Sequence, residues 1–325
     1  MRALVTGATG FVGGHLIDRL LARGDTVTAL IRSPAKAADL AARGVRLVRG
    51  DLGDKPALAE ASAAQDVIYH VAALTGAVDE AEFLLANRDG TANVVHAARA
   101  DGGTARIVLV SSMAAGGPAA RGRPKGADGL DAPVTMYGRS KLASELVLRG
   151  ADLPWVILRP PTVYGPRDRD NLITVFKAAR LGIAPVFGDG SMEVSVVHVE
   201  DLADAIVLAG TAGEALLGKT YYVNHPERLS SAELVREIGR TMGRNVTLLP
   251  IPEWAARVAL TATGAWAAAL RRKTILRADK ANEFFQAAWT GDAAPFIAAT
   301  GWQPRFDAAT GLAHTHDWYR QAGWL

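Results

Sequence analysis

The chain has 325 residues, 49% hydrophobic and 21% charged, enough for one large or two intimately joined domains with a sizeable core. A net charge of +3, with Lys and Arg spread along the chain and no run longer than Arg271-Arg272-Lys273, gives no electrostatic footprint for nucleic acid. The absence of cysteine excludes disulfides, thiolate catalysis and cysteine-ligated metals.

The chain opens on MRALVTGATG, a strand-like run passing straight into glycines, with none of the features of a secretory leader. No window holds the roughly 18 uninterrupted apolar residues of a membrane span, so a cytoplasmic location is expected. Apolar runs at 3–6, 26–31, 45–48, 66–72, 106–112 and 155–160 read as strands, separated by amphipathic helical stretches. Near-continuous apolar strands alternating with helices predict an α/β fold, a doubly wound parallel sheet covered on both faces. After Pro166 the alternation weakens, with one more strand–helix unit at 194–210 and a short strand at 219–224. Residues 1–165 are therefore expected to form a dinucleotide-binding domain, rejoined by 191–212. Residues 166–190 and 213–325 are expected to form mainly a smaller, interleaved substrate domain.

The first strand runs into TGATGFVGG (6–14). Glycines between a strand and a helix have defined uses: Gly7 for the tight turn, Gly10 for the approach of a pyrophosphate, Gly13 for close helix–strand packing. The helix that follows offers unpaired N–H groups to phosphates. At the end of the second strand, ALIRSPAK carries no acid for a ribose 2′-hydroxyl but has Arg32, Ser33 and Lys36, so NADP(H) is expected over NAD(H). The sequence YGRSK (137–141) sets a Tyr and a Lys four apart on a helical stretch. With six Tyr and eight Lys, chance supplies about 0.15 such pairs, so the spacing alone leaves open a proton-transfer pair or two ordinary neighbours on one face.

In order along the chain, TGATGFVG, RGDLGD, VAAL, NRDGTANVVHAA, VLVSSMAAGG, YGRSK, LRPPTVYGP and VVHVEDLADA resemble the motifs of the extended short-chain dehydrogenase/reductase family. The likeness spans nearly the whole chain. It implies cofactor contacts from Thr6, Gly7, Thr9, Gly10, Phe11, Val12 and Gly13. It further implies an adenine-contacting turn at Asp51 and Leu52, and cofactor-lining positions at Ala72, Ala73, Asn87, Val110, Pro160, Thr162 and Val163. It implies Tyr137 as general acid/base, and Lys141 as the charge that lowers its pKa and holds the nicotinamide ribose. Ser112 is expected to orient the substrate oxygen, with Ser111 as the fallback. The chemistry suits these types, since a free Tyr with a pKa of about 10 needs help to work near neutrality.

Where the family's dehydratases carry an Asp-Glu pair after the active-site hydroxyl, this chain has Met113 and Ala114. Where its sugar-nucleotide epimerases place an Arg four residues before the motif's His, this chain has Val194. The segment 250–273, rich in Ala, Leu, Val and Trp with three basic residues at its end, reads as an apolar lid, an interfacial membrane contact, or ordinary core or an oligomer surface. The expected function is NADP-dependent interconversion of a ketone and its secondary alcohol on a mainly apolar molecule. A sugar-nucleotide epimerase and a non-catalytic dinucleotide sensor are the alternatives. His15, His70 and His198 read as packing residues, and His314 and His316 lack a cluster that would make them metal ligands. By the resemblance alone, the helical stretches 79–100 and 135–149 would form a homodimer face.

Overall fold

A computed structural model of the chain describes residues 1–270, 274 and 278–325. Its strands are β1 (Arg2–Thr6), β2 (Thr26–Ile31), β3 (Arg46–Arg49), β4 (Val67–His70), β5 (Arg106–Val110), β6 (Trp155–Arg159), β7 (Thr162–Tyr164), β8 (Ile183–Phe187), β9 (Glu193–Val194), β10 (Val196–His198), β11 (Lys219–Tyr222), β12 (Leu229–Ser230), β13 (Thr247–Ile251) and β14 (Ala288–Trp289). Seven of them build one parallel sheet in the order β11-β6-β5-β4-β1-β2-β3. The chain winds outward from β1 to β3, then restarts at β4 and winds the other way. The crevice between β1 and β4 is thus the switch point where such sheets bind ligands.

Side chains alternate across the pleat, so each strand feeds two cores. Val5, Ala29, Tyr69, Val108 and Leu158 pack beneath the helices Phe11–Ala22 and Val199–Thr211. Leu4, Leu30, Ile68, Leu109 and Ile157 pack beneath Lys55–Ser62, Gly90–Ala100 and Met136–Arg149. Both faces are buried, which is why these strands read as unbroken apolar runs.

The expected domain boundary needs correction at 213. Residues 219–222 are β11, the seventh strand of the central sheet, paired in register with β6. Phe296 and Trp302 also join the core on the face of Val5. Single short strands carry no periodicity that tells one sheet from another, so this membership was not readable from KTYYVN alone.

The smaller unit has a separate core of Phe176, Ile238, Leu312 and Tyr319. It carries the parallel pair β8·β13 and the three-stranded ribbon β12-β9-β14. Among the described residues no helix is long and apolar enough to cross a membrane.

Candidate active site

The switch point holds the glycine loop. Gly7 has φ +76°, and a Cβ there would lie 2.8 Å from the backbone nitrogen of Ala72, so only glycine lets the loop pass this close to the 71–74 segment. The Thr6 hydroxyl accepts from the Ala72 N–H at 3.2 Å, locking the two segments together. Beyond the loop, helix Phe11–Ala22 begins at Gly10 with no side-chain cap and no acid in its first turn. Its first N–H groups and its dipole are left to an anion, which fits the pyrophosphate of a dinucleotide. Thr9 and Gly10 are exposed at this mouth, Phe11 and Val12 are half-buried, and Gly13 is buried against the turn at Gly7 and Ala8.

One buried chain of hydrogen bonds runs from this loop towards the YGRSK helix. His70 bonds Thr6 Oγ1 through Nδ1 at 2.8 Å and Thr91 Oγ1 through Nε2 at 3.1 Å. The Thr91 hydroxyl donates to the Asn87 carbonyl, so it must accept from His70, which fixes the imidazole as the neutral Nε2–H tautomer. Burial, and secondarily the Lys141 charge, pushes the His70 pKa down to about 3. Asn87 lies in a π-helical turn, Leu85–Asp89, set inside an otherwise α-helical run. Its amide receives the Leu74 N–H at 2.7 Å and donates to Ser140 Oγ at 2.9 Å. Ser140 in turn donates to the Tyr137 carbonyl at 2.8 Å. The packing role expected for His70 is what the structure shows.

The helix Met136–Arg149 is capped by Thr135, whose hydroxyl accepts from the Gly138 N–H at 3.1 Å, and Asp279 accepts from the Met136 N–H at 3.0 Å. A Cβ on Gly138 would lie 2.5 Å from the Ala114 carbonyl. This glycine inside YGRSK therefore lets the helix close against 113–116 and brings Tyr137 to Ser112. Ser112 caps that short turn, its Oγ accepting from the Ala114 N–H at 3.1 Å. Ser111 points the other way, donating to Glu145 at 2.5 Å in the interior, so Ser112 is the serine that faces the phenol.

The expected electrostatics are corrected here. Tyr137 is not held below its ordinary pKa; burial pushes it up to about 12, with the Ser112 hydroxyl pulling down and Glu283 adding to the rise. Lys141 is buried and donates to the Val110 carbonyl at 2.9 Å. Its own pKa is lowered to about 8 by burial, partly offset by Glu145 one turn on. In this arrangement the Tyr137 phenol keeps its proton near neutral pH.

The other expected positions lie on neighbouring loops and strands. Leu52 packs on Gly90, and its carbonyl accepts from Asn93 at 2.8 Å; Asp51 accepts from the Gly53 N–H at 2.8 Å. Ala72 is half-buried and Ala73 exposed. The Pro160 carbonyl accepts from the Met113 N–H at 2.8 Å, while Thr162 and Val163 form β7 beside β10. Arg32 and Lys36 stand exposed beyond β2, with Ser33 half-buried between them. His198 is buried and contacts His314 at 3.2 Å; His316 stacks on Phe176. Among the described residues no group of three His, Cys, Asp or Glu could hold a metal ion.

Sequence reasoning missed the ionic floor of the site. Arg159, fully buried at the end of β6, bonds Glu145 through Nε at 2.9 Å and Nη2 at 2.6 Å, and pairs with Asp131 at 2.8 Å. Glu145 follows Lys141 by four residues on the same helix face, and Arg159 stands in an otherwise apolar strand. Those were the available signals.

Residues 3–223 match the NAD dependent epimerase/dehydratase family. The chain belongs to this family. It is an NAD(P)-dependent enzyme of the extended short-chain dehydrogenase/reductase type, and its Rossmann-type sheet is the fold that family uses. It is 33% identical over 321 residues to a ceramide reductase of Caulobacter vibrioides, covering 99% of this chain and 95% of that protein. It is 34% identical over 258 residues to a 2-alkyl-3-oxoalkanoate reductase of Stenotrophomonas maltophilia, covering 75% and 76%. A UDP-glucose 4-epimerase of Vibrio cholerae is 29% identical over 262 residues, covering 77% and 79%. Among solved structures, the dTDP-glucose 4,6-dehydratase DesIV of Streptomyces venezuelae with NAD and TYD bound superposes with a TM-score of 0.80 at 26% identity, covering 100% of this chain and 98% of that one.

Proposed function

We propose that the protein reduces the carbonyl of a mainly apolar molecule, or oxidises the matching secondary alcohol, with NADP(H) as the preferred cofactor. The observation that carries this reading is the pairing of Ser112 with a protonated Tyr137 beside apolar walls. The Phe83 ring lies 6.0 Å from the Tyr137 ring. Glu283, whose charge reaches Tyr137, adjoins Phe284 and Phe285, and Phe284 stacks on Phe187 at 4.1 Å. The nicotinamide supplies or accepts the hydride. Ser112 donates to the substrate oxygen, and Tyr137 delivers its proton there as negative charge develops. Lys141 leaves the Val110 carbonyl to hold the ribose, and its ammonium then eases loss of the phenolic proton. Arg32, Ser33 and Lys36, with no acid at the end of β2, favour a 2′-phosphate.

Two of the relatives above are named as reductases, which supports the ketone reading. The epimerase among them keeps a second reading open. Its specific counterpart here is a groove of about 660 Å³ lined by Arg121, Arg228 and Arg236. Against it, Asp189, Glu193 and Glu233 share that groove, Arg121 is bonded to Ser191 at 2.7 Å, and Val194 stands where the diphosphate-binding Arg would be.

The test is kcat/KM for straight-chain ketones of rising length with NADPH and NADH, beside melting shifts with UDP-glucose. Each buried methylene contributes about 0.8 kcal/mol, so kcat/KM should rise up to about fourfold per carbon, with NADPH preferred and no shift by UDP-glucose. A flat series, NADH preference, or turnover of UDP-glucose would overturn the corresponding part of the proposal.

A further inference from the structure

Helix Glu253–Ala269 turns one side inward and leaves the other bare. Ala256, Leu260, Gly264 and Ala267 are buried, whereas Trp254, Val258, Ala262 and Trp266, spaced by four, form an exposed stripe. Trp254 is 72%, Val258 64% and Trp266 62% exposed. Further exposed apolar side chains stand on β13, the strand that leads into the helix, and on or just before its partner β8. β13 pairs in parallel with β8, and Leu249, Ile183 and Leu181 are all exposed there. Among the described residues, seven of the eleven exposed large hydrophobic side chains fall at Leu181, Ile183, Leu249, Trp254, Val258, Trp266 and Leu270. That concentration separates this face from ordinary scattered surface apolarity.

Charge supplies the second observation. Between 171 and 188 and between 241 and 269 the sequence has Lys177, Arg180, Arg244 and Arg257 against one acid, Glu253. These two segments therefore carry a net charge of +3, four basic residues against one acid. Lys177, Arg180 and Arg244 are exposed on the segments just before β8 and β13, while Arg257 is bonded to Glu253 at 2.8 Å. Residues 271–273, Arg-Arg-Lys, lie outside the described residues.

We propose that this face docks on an anionic lipid surface. Two tryptophans along one side of a helix suit the interfacial layer, where an indole meets both acyl chains and headgroups, and a cationic rim suits anionic headgroups. The helix, about 25 Å long at 1.5 Å per residue, lies flat on the surface rather than crossing it. The docked face adjoins the active site. Arg257 donates to Asn282 at 3.2 Å, and Asn282 donates at 3.4 Å to the carbonyl of Val134, three residues before Tyr137. The inference stands apart from the identity of the substrate, since it rests on the outer surface alone.

The experiment is flotation with vesicles of phosphatidylcholine containing phosphatidylglycerol, using the full chain and a Trp254→Ser/Val258→Ser/Trp266→Ser variant. A second variant, Arg180→Glu/Arg244→Glu, tests the rim. The wild type should float with the anionic vesicles, and the apolar variant should bind roughly tenfold more weakly or worse. The charge variant should lose binding to anionic vesicles in low salt, with both variants keeping the wild-type melting temperature. Wild-type protein that stays at the bottom of the gradient would overturn the proposal. So would light scattering that finds a dimer which the apolar variant splits, because the stripe would then be covered by a second copy.

Discussion

The floor beneath Tyr137 and the outer helix Glu253–Ala269, linked through Arg257, Asn282 and Val134, are built by opposite rules. The floor is polar and buried, and nearly every group in it has a fixed partner: His70 between two threonines, Asn87 between Leu74 and Ser140, Arg159 against Glu145 and Asp131. The helix is apolar and bare, with Trp254 and Trp266 aimed outward. In the interior an unpartnered polar group is costly, so its partners fix one geometry. On the surface an apolar side chain tolerates many neighbours and specifies none. The floor thus holds one arrangement around Tyr137, whereas the outer helix leaves its apolar stripe exposed.

Breaking the floor should have the largest consequence. Arg159→Met leaves Glu145 buried without its bidentate partner, and such a loss costs about 3–5 kcal/mol. The denaturation midpoint should fall accordingly, whereas serines placed on the outer stripe should leave it unchanged. An Arg159→Met protein as stable as wild type would erase the contrast between the two regions.

A smaller effect sharpens the same contrast through pH. The Lys141 pKa of about 8 lies below its ordinary 10.5. Between these values the unfolded chain holds more protons than the folded one, so stability rises with pH there. Below about pH 8 the buried ammonium is an unfavourable term. Lys141→Met should flatten this rise in the protein without cofactor, read as the wild-type minus variant difference in unfolding free energy from pH 7.5 to 10.5. An unchanged slope would mean that the Lys141 side chain is solvated.

The strands of the central sheet were legible because two buried faces demand unbroken apolar runs, and from β1 to β6 their ends came within one residue except at the ends of β4 and β5, which differ by two. There the runs of 66–72 and 106–112 continue past His70 and Val110 as loop. That loop is where the strand ends hand over to the site, and apolar pattern alone does not mark it. The glycine loop was legible because strand, glycines and helix stand in order. The membership of 219–222 in the main sheet was not, since pairing is decided by partners distant in sequence. Ser112 rather than Ser111 was what the family resemblance implied; the two side chains point in opposite directions, Ser111 to Glu145 and Ser112 to the turn at Ala114. The direction of the Tyr137 shift was misjudged. Spacing reveals that a lysine is near, but not that burial raises the phenol or that the ammonium is bonded to Val110.

The central claim is that Tyr137 delivers the proton to a reduced carbonyl, and Tyr137→Phe tests it most directly. NADPH binding, measured by quenching of protein fluorescence, should stay at the wild-type level, while the single-turnover rate of ketone reduction falls by about 10²–10⁴-fold. A variant that binds NADPH normally and reduces the ketone at close to the wild-type rate would contradict the account.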